Sequence, residues 1–354
     1  MLRFDPRVHR VQCRSCPREW ILSQALPYCP ECIRNKKELF PVILILHKKI
    51  REDFGLAGLD AQDRNTRKCN LCVNKCAIGF DQTGYCRVRR NEQGKIIGPD
   101  SNWAFLDAYH DPLPTNCVAD WVCAGSKDYD YKNLAVFYEA CTFNCLFCQN
   151  WHYRERKTRT TTDELMRMVD PTTVCICFFG GDPTPFALQT IEIARRISEK
   201  RRRIRVCWET NGSVQPEIMR AWAESALKSN GCIKIDLKAF SEELNLALCG
   251  SSNKNTKENI KLVAEFMGLR KNLPVLVVST LLIPGYIDEY EIEGMAKFLA
   301  SINPEIPWSF LGFYPHFYFK DLPVTSWKQV NKALAIAKEY GMKNIHIGNI
   351  HLIK

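Results

Sequence analysis

The run Glu139-Ala140-Cys141-Thr142-Phe143-Asn144-Cys145-Leu146-Phe147-Cys148-Gln149-Asn150 holds the most specific chemistry in this chain. Cys141, Cys145 and Cys148 stand at C-x3-C-x2-C spacing, which offers three soft thiolates to one metal centre. Iron–sulfur clusters usually take four cysteines, so a trio leaves one iron without a protein ligand and open to a small molecule. A zinc knuckle or a set of buried thiols competes for the same bare pattern.

Context decides between these readings. The trio follows the apolar run Leu134-Ala135-Val136-Phe137-Tyr138, and a second run, Cys177-Phe178-Phe179, leads into Gly180-Gly181-Asp182-Pro183-Thr184. With these features the chain resembles the radical SAM superfamily. That resemblance implies a 4Fe-4S cluster on Cys141, Cys145 and Cys148, with S-adenosylmethionine chelating the fourth iron through its amino and carboxylate groups. An electron then splits the sulfonium to give methionine and a 5′-deoxyadenosyl radical that takes hydrogen from a substrate; the protein positions the reactants and excludes water.

The same resemblance suggests cofactor contacts. Gly180 and Gly181 let backbone approach the methionine amino group. Asp182 stands where the family commonly carries Glu, and Thr184 with Pro185 starts the next helix. Trp208-Glu209-Thr210-Asn211-Gly212 and Lys234-Ile235-Asp236-Leu237-Lys238 look like strand ends of glycyl-radical-enzyme activases such as that of pyruvate formate-lyase. By that likeness Glu209 and Asp236 hold a monovalent cation beside the cofactor carboxylate, as hard oxygen ligands suit a hard cation. Asn211 joins the cofactor set, Lys238 lies near the cofactor or substrate, and His316 reaches the ribose. Alone, His316 reads as an ordinary rim histidine.

Over residues 67–354 the chain is similar to the AmmeMemoRadiSam system radical SAM enzyme. The similarity rests on the Cys69-to-Cys86 group with Gly84 and Arg87, on Cys148-Gln149-Asn150-Trp151, on Leu282-Ile283-Pro284-Gly285 and on Gly348-Asn349. The paired knuckles at the front depart from that branch.

Along the chain, three segments separate. Residues 1–66 carry Cys13-x2-Cys16 and Cys29-x2-Cys32, the spacing of a four-cysteine zinc ribbon, since each knuckle gives two thiolates and tetrahedral zinc needs four. Residues 67–132 carry Cys69, Cys72, Cys76 and Cys86, four thiolates for zinc or for an auxiliary iron–sulfur cluster, and then Cys117 and Cys123, readable as spare ligands or as buried thiols. From 133 onward, strands near 134–138, 174–179, 205–209, 232–237, 275–282 and 308–313 alternate with helices near 162–169, 186–202, 215–229, 254–268, 288–302 and 326–340. This alternation predicts an α/β fold, a partial (βα)6 barrel of the TIM type, with a last short strand at 345–347 on one edge. Every motif above then falls at a strand's carboxyl end, where such barrels do chemistry. Cys175 and Cys177, at strand period, read as core, and Cys207, Cys232 and Cys249 as inert thiols. Trp151, Tyr153 and the basic run from Arg154 to Arg159 follow the cysteine loop, a place from which to cover the cofactor or meet a partner, although the ordinary reading of such a run is a solvated face.

A chain of 354 residues with 46% hydrophobic and 25% charged residues excludes disordered and repeat classes. Its 18 cysteines, grouped as metal ligands without a signal peptide or an apolar stretch of membrane length, point to a cytoplasmic, reducing setting. A net charge of +10, with Arg201-Arg202-Arg203 among its carriers, favours an acidic partner. The sequence therefore predicts a radical SAM enzyme acting on a protein or peptide, reduced by a ferredoxin- or flavodoxin-type partner. An RNA-modifying enzyme is the first alternative and a non-catalytic iron–sulfur and zinc carrier the second.

Overall fold

Runs of apolar, β-branched and aromatic residues form strands buried on both faces when helices cover the sheet. A computed structural model describes residues 10–56, 66–115, 117–199, 203–270 and 272–354, so Arg201 and Arg202 of the basic run lie outside the described residues. Three short hairpins come first: β1 Val11–Gln12 with β2 Glu19–Trp20, β3 Arg67–Lys68 with β4 Ala77–Ile78, and β5 Arg90–Glu92 with β6 Lys95–Ile97. The main sheet contains β7 Trp103–Pro112, β8 Lys132–Tyr138, β9 Arg159–Thr161, β10 Thr173–Gly180, β11 Arg205–Thr210, β12 Ile233–Asp236, β13 Leu276–Leu282, β14 Trp308–Gly312 and β15 Ile345–Gly348.

The strand order is β15-β14-β13-β12-β11-β10-β8-β7-β9. From β8 to β15 the pairing is parallel throughout, the arrangement expected of the six-unit barrel with one more strand at its edge. The crossovers carry α3 Thr162–Arg167, α4 Ala187–Glu199, α5 Pro216–Ser229, α6 Glu242–Cys249 with α7 Lys254–Ala264, α8 Glu289–Ile302 and α9 Trp327–Glu339, while α1 Pro30–Asn35 and α2 Phe40–Asp53 precede the sheet. Local chemistry sets several ends. Thr161 and Glu164 form a capping box on α3, Asp288 accepts from the Glu291 N–H on α8, and Asn230 closes α5 in the left-handed region at φ 57°.

Two features differ from the sequence reading. β7, within the 67–132 segment, pairs antiparallel with β8 along Leu106–Pro112, so the sheet extends across the 132/133 boundary. The helix α6 was not expected. It packs against α1 and α2, and its last residues, Leu248 and Cys249, accept the Leu146 and Asn144 N–H groups of the cysteine loop at 2.9 and 2.7 Å.

One hydrophobic core runs between the sheet and its helices. Trp208 on β11 and Trp222 on α5 are fully buried and stacked at 5.7 Å, with Phe178 on β10 at 5.4 Å from Trp208. Burying such a ring contributes roughly 2–3 kcal/mol. The front segment joins the same core: Arg34 pairs with Asp288 at 2.7 Å and Glu291 at 3.2 Å, and the Ser23 N–H donates to the Tyr286 hydroxyl at 3.0 Å. Among the described residues no helix is long and apolar enough to cross a membrane.

Candidate active site

The carboxyl ends of β8, β10, β11, β12, β13, β14 and β15 surround a cavity of about 780 Å³, and Cys141, Cys145 and Cys148 form one wall of it. All three thiols are free. Their loop is clamped from outside. Ser251 Oγ and Asn74 Nδ2 both donate to the Thr142 carbonyl, at 3.0 and 2.8 Å, and the Tyr318 N–H donates to the Leu146 carbonyl at 3.0 Å. His47, buried on α2, meets Asn144 Nδ2 through Nδ1 at 3.1 Å and the Ala247 carbonyl through Nε2 at 3.0 Å. Asn144 Oδ1 in turn accepts from Arg154 at 3.1 Å.

Residues 155–159 of the basic run are exposed, as a solvated face would be, and Arg154 is the exception. It is 6% exposed, flanked by Tyr153 and Phe317, and its Nε and Nη1 are buried without a hydrogen-bond partner among the described residues. Burial works against its charge, while Tyr153 and the thiols of Cys148, Cys141 and Cys145 favour it and hold the guanidinium above its ordinary value. A buried cation with idle donors beside three soft ligands fits a cluster whose thiolates carry negative charge. Cys249 contacts Cys145 but does not line the cavity, whereas Cys117, from the segment before β8, lines it along with the three loop thiols.

The glycine pair is required by the chain's own backbone. A Cβ on Gly180, at φ +106°, would sit 2.6 Å from the Tyr138 nitrogen, and one on Gly181 would sit 2.3 Å from the Ala140 carbonyl oxygen. Both line the cavity, so the close approach of β10 to β8 also leaves their backbone exposed there. Asp182 is 2% exposed and braces the strand ends: it accepts from the Thr184 N–H at 2.8 Å, the Thr210 hydroxyl at 3.0 Å and the Asn211 N–H at 2.7 Å. Asn211 Nδ2 donates to Thr142 Oγ1 at 2.9 Å and lies 3.7 Å from Cys141 Sγ, linking β11 to the cysteine loop.

Glu209 and Asp236 both face the cavity, each beside a lysine. Lys234 Nζ lies 3.3 Å from Glu209 and Lys238 Nζ lies 2.9 Å from Asp236, which also accepts from the Ser279 hydroxyl. Burial opposes the Lys238 charge, but Asp236 and the thiols of Cys145 and Cys249 raise it well above the ordinary lysine value.

Two expected residues are not brought to the cavity. Thr184 is fully buried in the turn after Asp182. His316, half-buried at the start of the short turn Phe317–Phe319 after β14, does not line the cavity. His346 and His351 do, together with the Gly348-Asn349 turn. His346 pairs in register with Ser309 and stacks on Trp121 at 5.0 Å. A lone histidine between two isoleucines on the last strand was its only sequence signal.

Away from the cavity, Cys13, Cys16, Cys29 and Cys32 bring their sulfur atoms within 4.8 Å of one another, a group able to hold a metal ion. The Cys29 and Ser15 N–H groups donate to Cys13 Sγ at 3.3 and 3.4 Å; burial opposes the thiolate, but these donors prevail and lower the thiol to about 7. Among the described residues no other set of three ligand atoms meets the same spacing. Cys69, Cys72, Cys76 and Cys86 are therefore neighbours without forming a single-ion tetrahedron. Their segment docks on the site through the Val73 N–H, which donates to the Ser213 carbonyl at 2.9 Å.

Residues 135–299 match the model of the Radical SAM superfamily. An uncharacterized protein of Methanocaldococcus jannaschii is 26% identical over 314 residues, spanning 81% of this chain and 83% of that protein. The pyruvate formate-lyase 1-activating enzyme of Escherichia coli is 27% identical over 176 residues, 47% of this chain and 67% of the enzyme. Among solved structures, a domain of pyruvate-formate lyase-activating enzyme from Bacteroides vulgatus superposes with a TM-score of 0.40 at 24% identity, over 49% of this chain and 98% of that one.

Proposed function

Given that the chain carries a radical SAM domain and is a radical SAM enzyme, we propose that it cleaves S-adenosylmethionine reductively and abstracts hydrogen from a protein or peptide. The observation that carries this reading is the opening of the Cys141, Cys145 and Cys148 loop onto a cavity ringed by the carboxyl ends of the parallel strands. Bound there, the 4Fe-4S cluster and cofactor supply a one-electron scission of the sulfonium that yields methionine and a 5′-deoxyadenosyl radical. Cys141, Cys145 and Cys148 hold the cluster, and Arg154 balances their charge from behind. The Gly180-Gly181 backbone and Asn211 position the cofactor's amino acid end, with Asp182 fixing those strand ends. Glu209, Asp236 and Lys238 form the charged floor, where a monovalent cation would compete with the lysines for the two carboxylates.

The protein or peptide substrate is supported by the similar Escherichia coli enzyme, which by its name activates another enzyme. In this reading residues 1–66 form a zinc segment, 67–132 a second metal-binding segment and 133–354 the catalytic barrel. A ferredoxin- or flavodoxin-type partner supplies the electron, and the many reduced thiols suit the cytoplasm.

The test is anaerobic reconstitution followed by S-adenosylmethionine and a reductant. The expected product is 5′-deoxyadenosine, abolished by Cys145→Ala; its absence from a protein with an intact cluster would overturn the assignment. Turnover should rise with a macromolecular fraction of cell extract. Loss of that stimulus on protease treatment supports a protein substrate, and loss on ribonuclease treatment instead refutes it.

A further inference from the structure

Cys117, readable from the sequence as a spare ligand or a buried thiol, faces two cavities at once. It lines the cofactor cavity of about 780 Å³ and a second one of about 530 Å³ inside the barrel, and Asp120, Phe179 and Glu209 are likewise shared between the two. Cys123, Cys175, Cys177, Cys207 and Cys232 line only the inner cavity, a basin of packed thiols beside the cofactor space. Cys117 is half-buried, so its sulfur is the one thiol outside the cysteine loop that the cofactor cavity reaches.

Two sets of contacts fix this residue. Lys234, 2% exposed on β12, directs its ammonium to Cys117 Sγ at 3.2 Å, Cys177 Sγ at 3.0 Å and Glu209 at 3.3 Å. Lys234 shares a face with Asp236 two residues on, so the sulfur it holds sits just below the carboxylates of the cofactor cavity. Across the barrel, the Ser309 hydroxyl on β14 donates to the Val118 carbonyl at 3.0 Å, Trp121 Nε1 donates to Ser309 Oγ at 3.1 Å, and the Trp121 ring stacks on His346 of β15. The segment 117–121 therefore spans the barrel and carries its first residue to the floor of the cavity. An ammonium has only hydrogens to give, so its contact occupies a sulfur lone pair and leaves the S–H free to turn toward the cavity. Burial pushes this thiol up to about 11, against the pull of the Lys234 charge, and the sulfur keeps its proton at neutral pH.

A thiol does in a radical site what the carboxylates, amides and ammonium groups around it cannot. Its S–H bond is weaker than most C–H bonds, so it yields a hydrogen atom to a carbon radical. We propose that Cys117 is the hydrogen-atom donor that ends the radical reaction in this cavity, an inference that rests on the radical SAM reading. The S–H bond of Cys117 breaks as a C–H bond forms at the carbon radical of the product, and the unpaired electron passes to sulfur. One electron from the ferredoxin- or flavodoxin-type reductant and one proton from solvent restore the thiol. Such an enzyme releases its product with hydrogen returned, which sets its reaction class apart from an activation that leaves a lasting radical on the partner.

With no substrate present the adenosyl radical meets the same thiol, so the test needs S-adenosylmethionine alone. The full chain, reconstituted anaerobically, is exchanged into deuterium oxide, where thiol hydrogen becomes deuterium and carbon-bound hydrogen does not. It is then reduced, and the 5′-deoxyadenosine is weighed by mass spectrometry. Deuterium is expected in most of the product of the native chain, and severalfold less in that of Cys117→Ala and Cys117→Ser. Serine keeps an exchangeable hydrogen, but its O–H bond is too strong to give it to a carbon radical. Unlabelled product from the native chain, or equal labelling in the variants, overturns the proposal and leaves the radical SAM assignment standing, whereas no 5′-deoxyadenosine from the native chain overturns the assignment itself. A variant that carries its cluster but forms no 5′-deoxyadenosine also refutes the proposal, because the donor acts after the sulfonium splits. A second reading needs no turnover. In the reconstituted native chain without reductant, iodoacetamide should label Cys117, mapped by peptide mass spectrometry, and S-adenosylmethionine should slow that labelling severalfold. An unchanged rate, or no labelling in either state, places the thiol away from the cofactor and refutes its role.

Discussion

At the scale of single residues, the cysteine loop depends on partners that hold no cofactor. His47 fills both of its hydrogen-bonding roles as a neutral ring, donating to the Ala247 carbonyl and accepting from Asn144. Burial holds its pKa at about 4, below the unfolded value of about 6.5. A depressed pKa means that the native state keeps this stability above about pH 6.5 and loses it as the pH falls toward 4, on the order of 3 kcal/mol in all. Urea midpoints across that range should fall steeply for the native chain and less so for His47→Gln; parallel slopes would contradict the assignment. Asp182 acts similarly through hydrogen bonds. Its replacement by Ala leaves the buried Thr184 and Asn211 N–H groups without an acceptor, a loss of roughly 3 kcal/mol, checked by chemical denaturation. Of these two, Asp182 was legible in the glycine-rich turn, but His47 was not, since nothing in Leu46-His47-Lys48 marks a contact almost a hundred residues away in sequence.

At the scale of elements, the meeting of β10 with β8 sets the geometry of the cofactor wall. Gly181→Ala would drive a methyl group to 2.3 Å from the Ala140 carbonyl oxygen, one residue before Cys141. A lower melting temperature is expected, with a cost of about 1–3 kcal/mol, together with weaker S-adenosylmethionine binding by calorimetry. Gly268→Ala is the control, since nothing lies within 4 Å of a Cβ there, and it should change neither quantity appreciably. The helices α6 and α7 matter in the same way. α6 accepts loop N–H groups at its end, and Asn255 and Asn259 on α7 donate to carbonyls of the 212–214 turn that follows Asn211. Strands and long helices were readable from apolar runs and periodicity. The eight-residue α6 carries too few turns for a period to stand out, and its stability comes from packing on α1 and α2.

At the scale of the whole molecule, the front segment is bound to the barrel and does not stand apart as a free ribbon. Trp20 Nε1 donates to the Gly285 carbonyl at 2.6 Å, and a Cβ on Gly285 would fall 1.8 Å from the Ile21 carbonyl oxygen. Tetrahedral thiolate sites add binding energy to folding, so their metal should hold this docking surface in shape. Removing metal with a chelator, or Cys16→Ser, is expected to expose residues 13–36 to limited proteolysis while the barrel stays resistant. Cleavage that is unchanged, or that starts in the barrel, would show that the tetrad does not support the dock.

The sequence alone determined the parallel barrel, the cysteine trio, the glycine turn and the front tetrad, because apolar period and ligand spacing act over a few residues. Tertiary structure alone decided that Arg154 is buried, that Thr184 and His316 stand clear of the cavity while His346 and His351 enter it, and that scattered cysteines share one basin. Those outcomes depend on which strands become neighbours, and spacing along a chain carries no record of distance across a sheet.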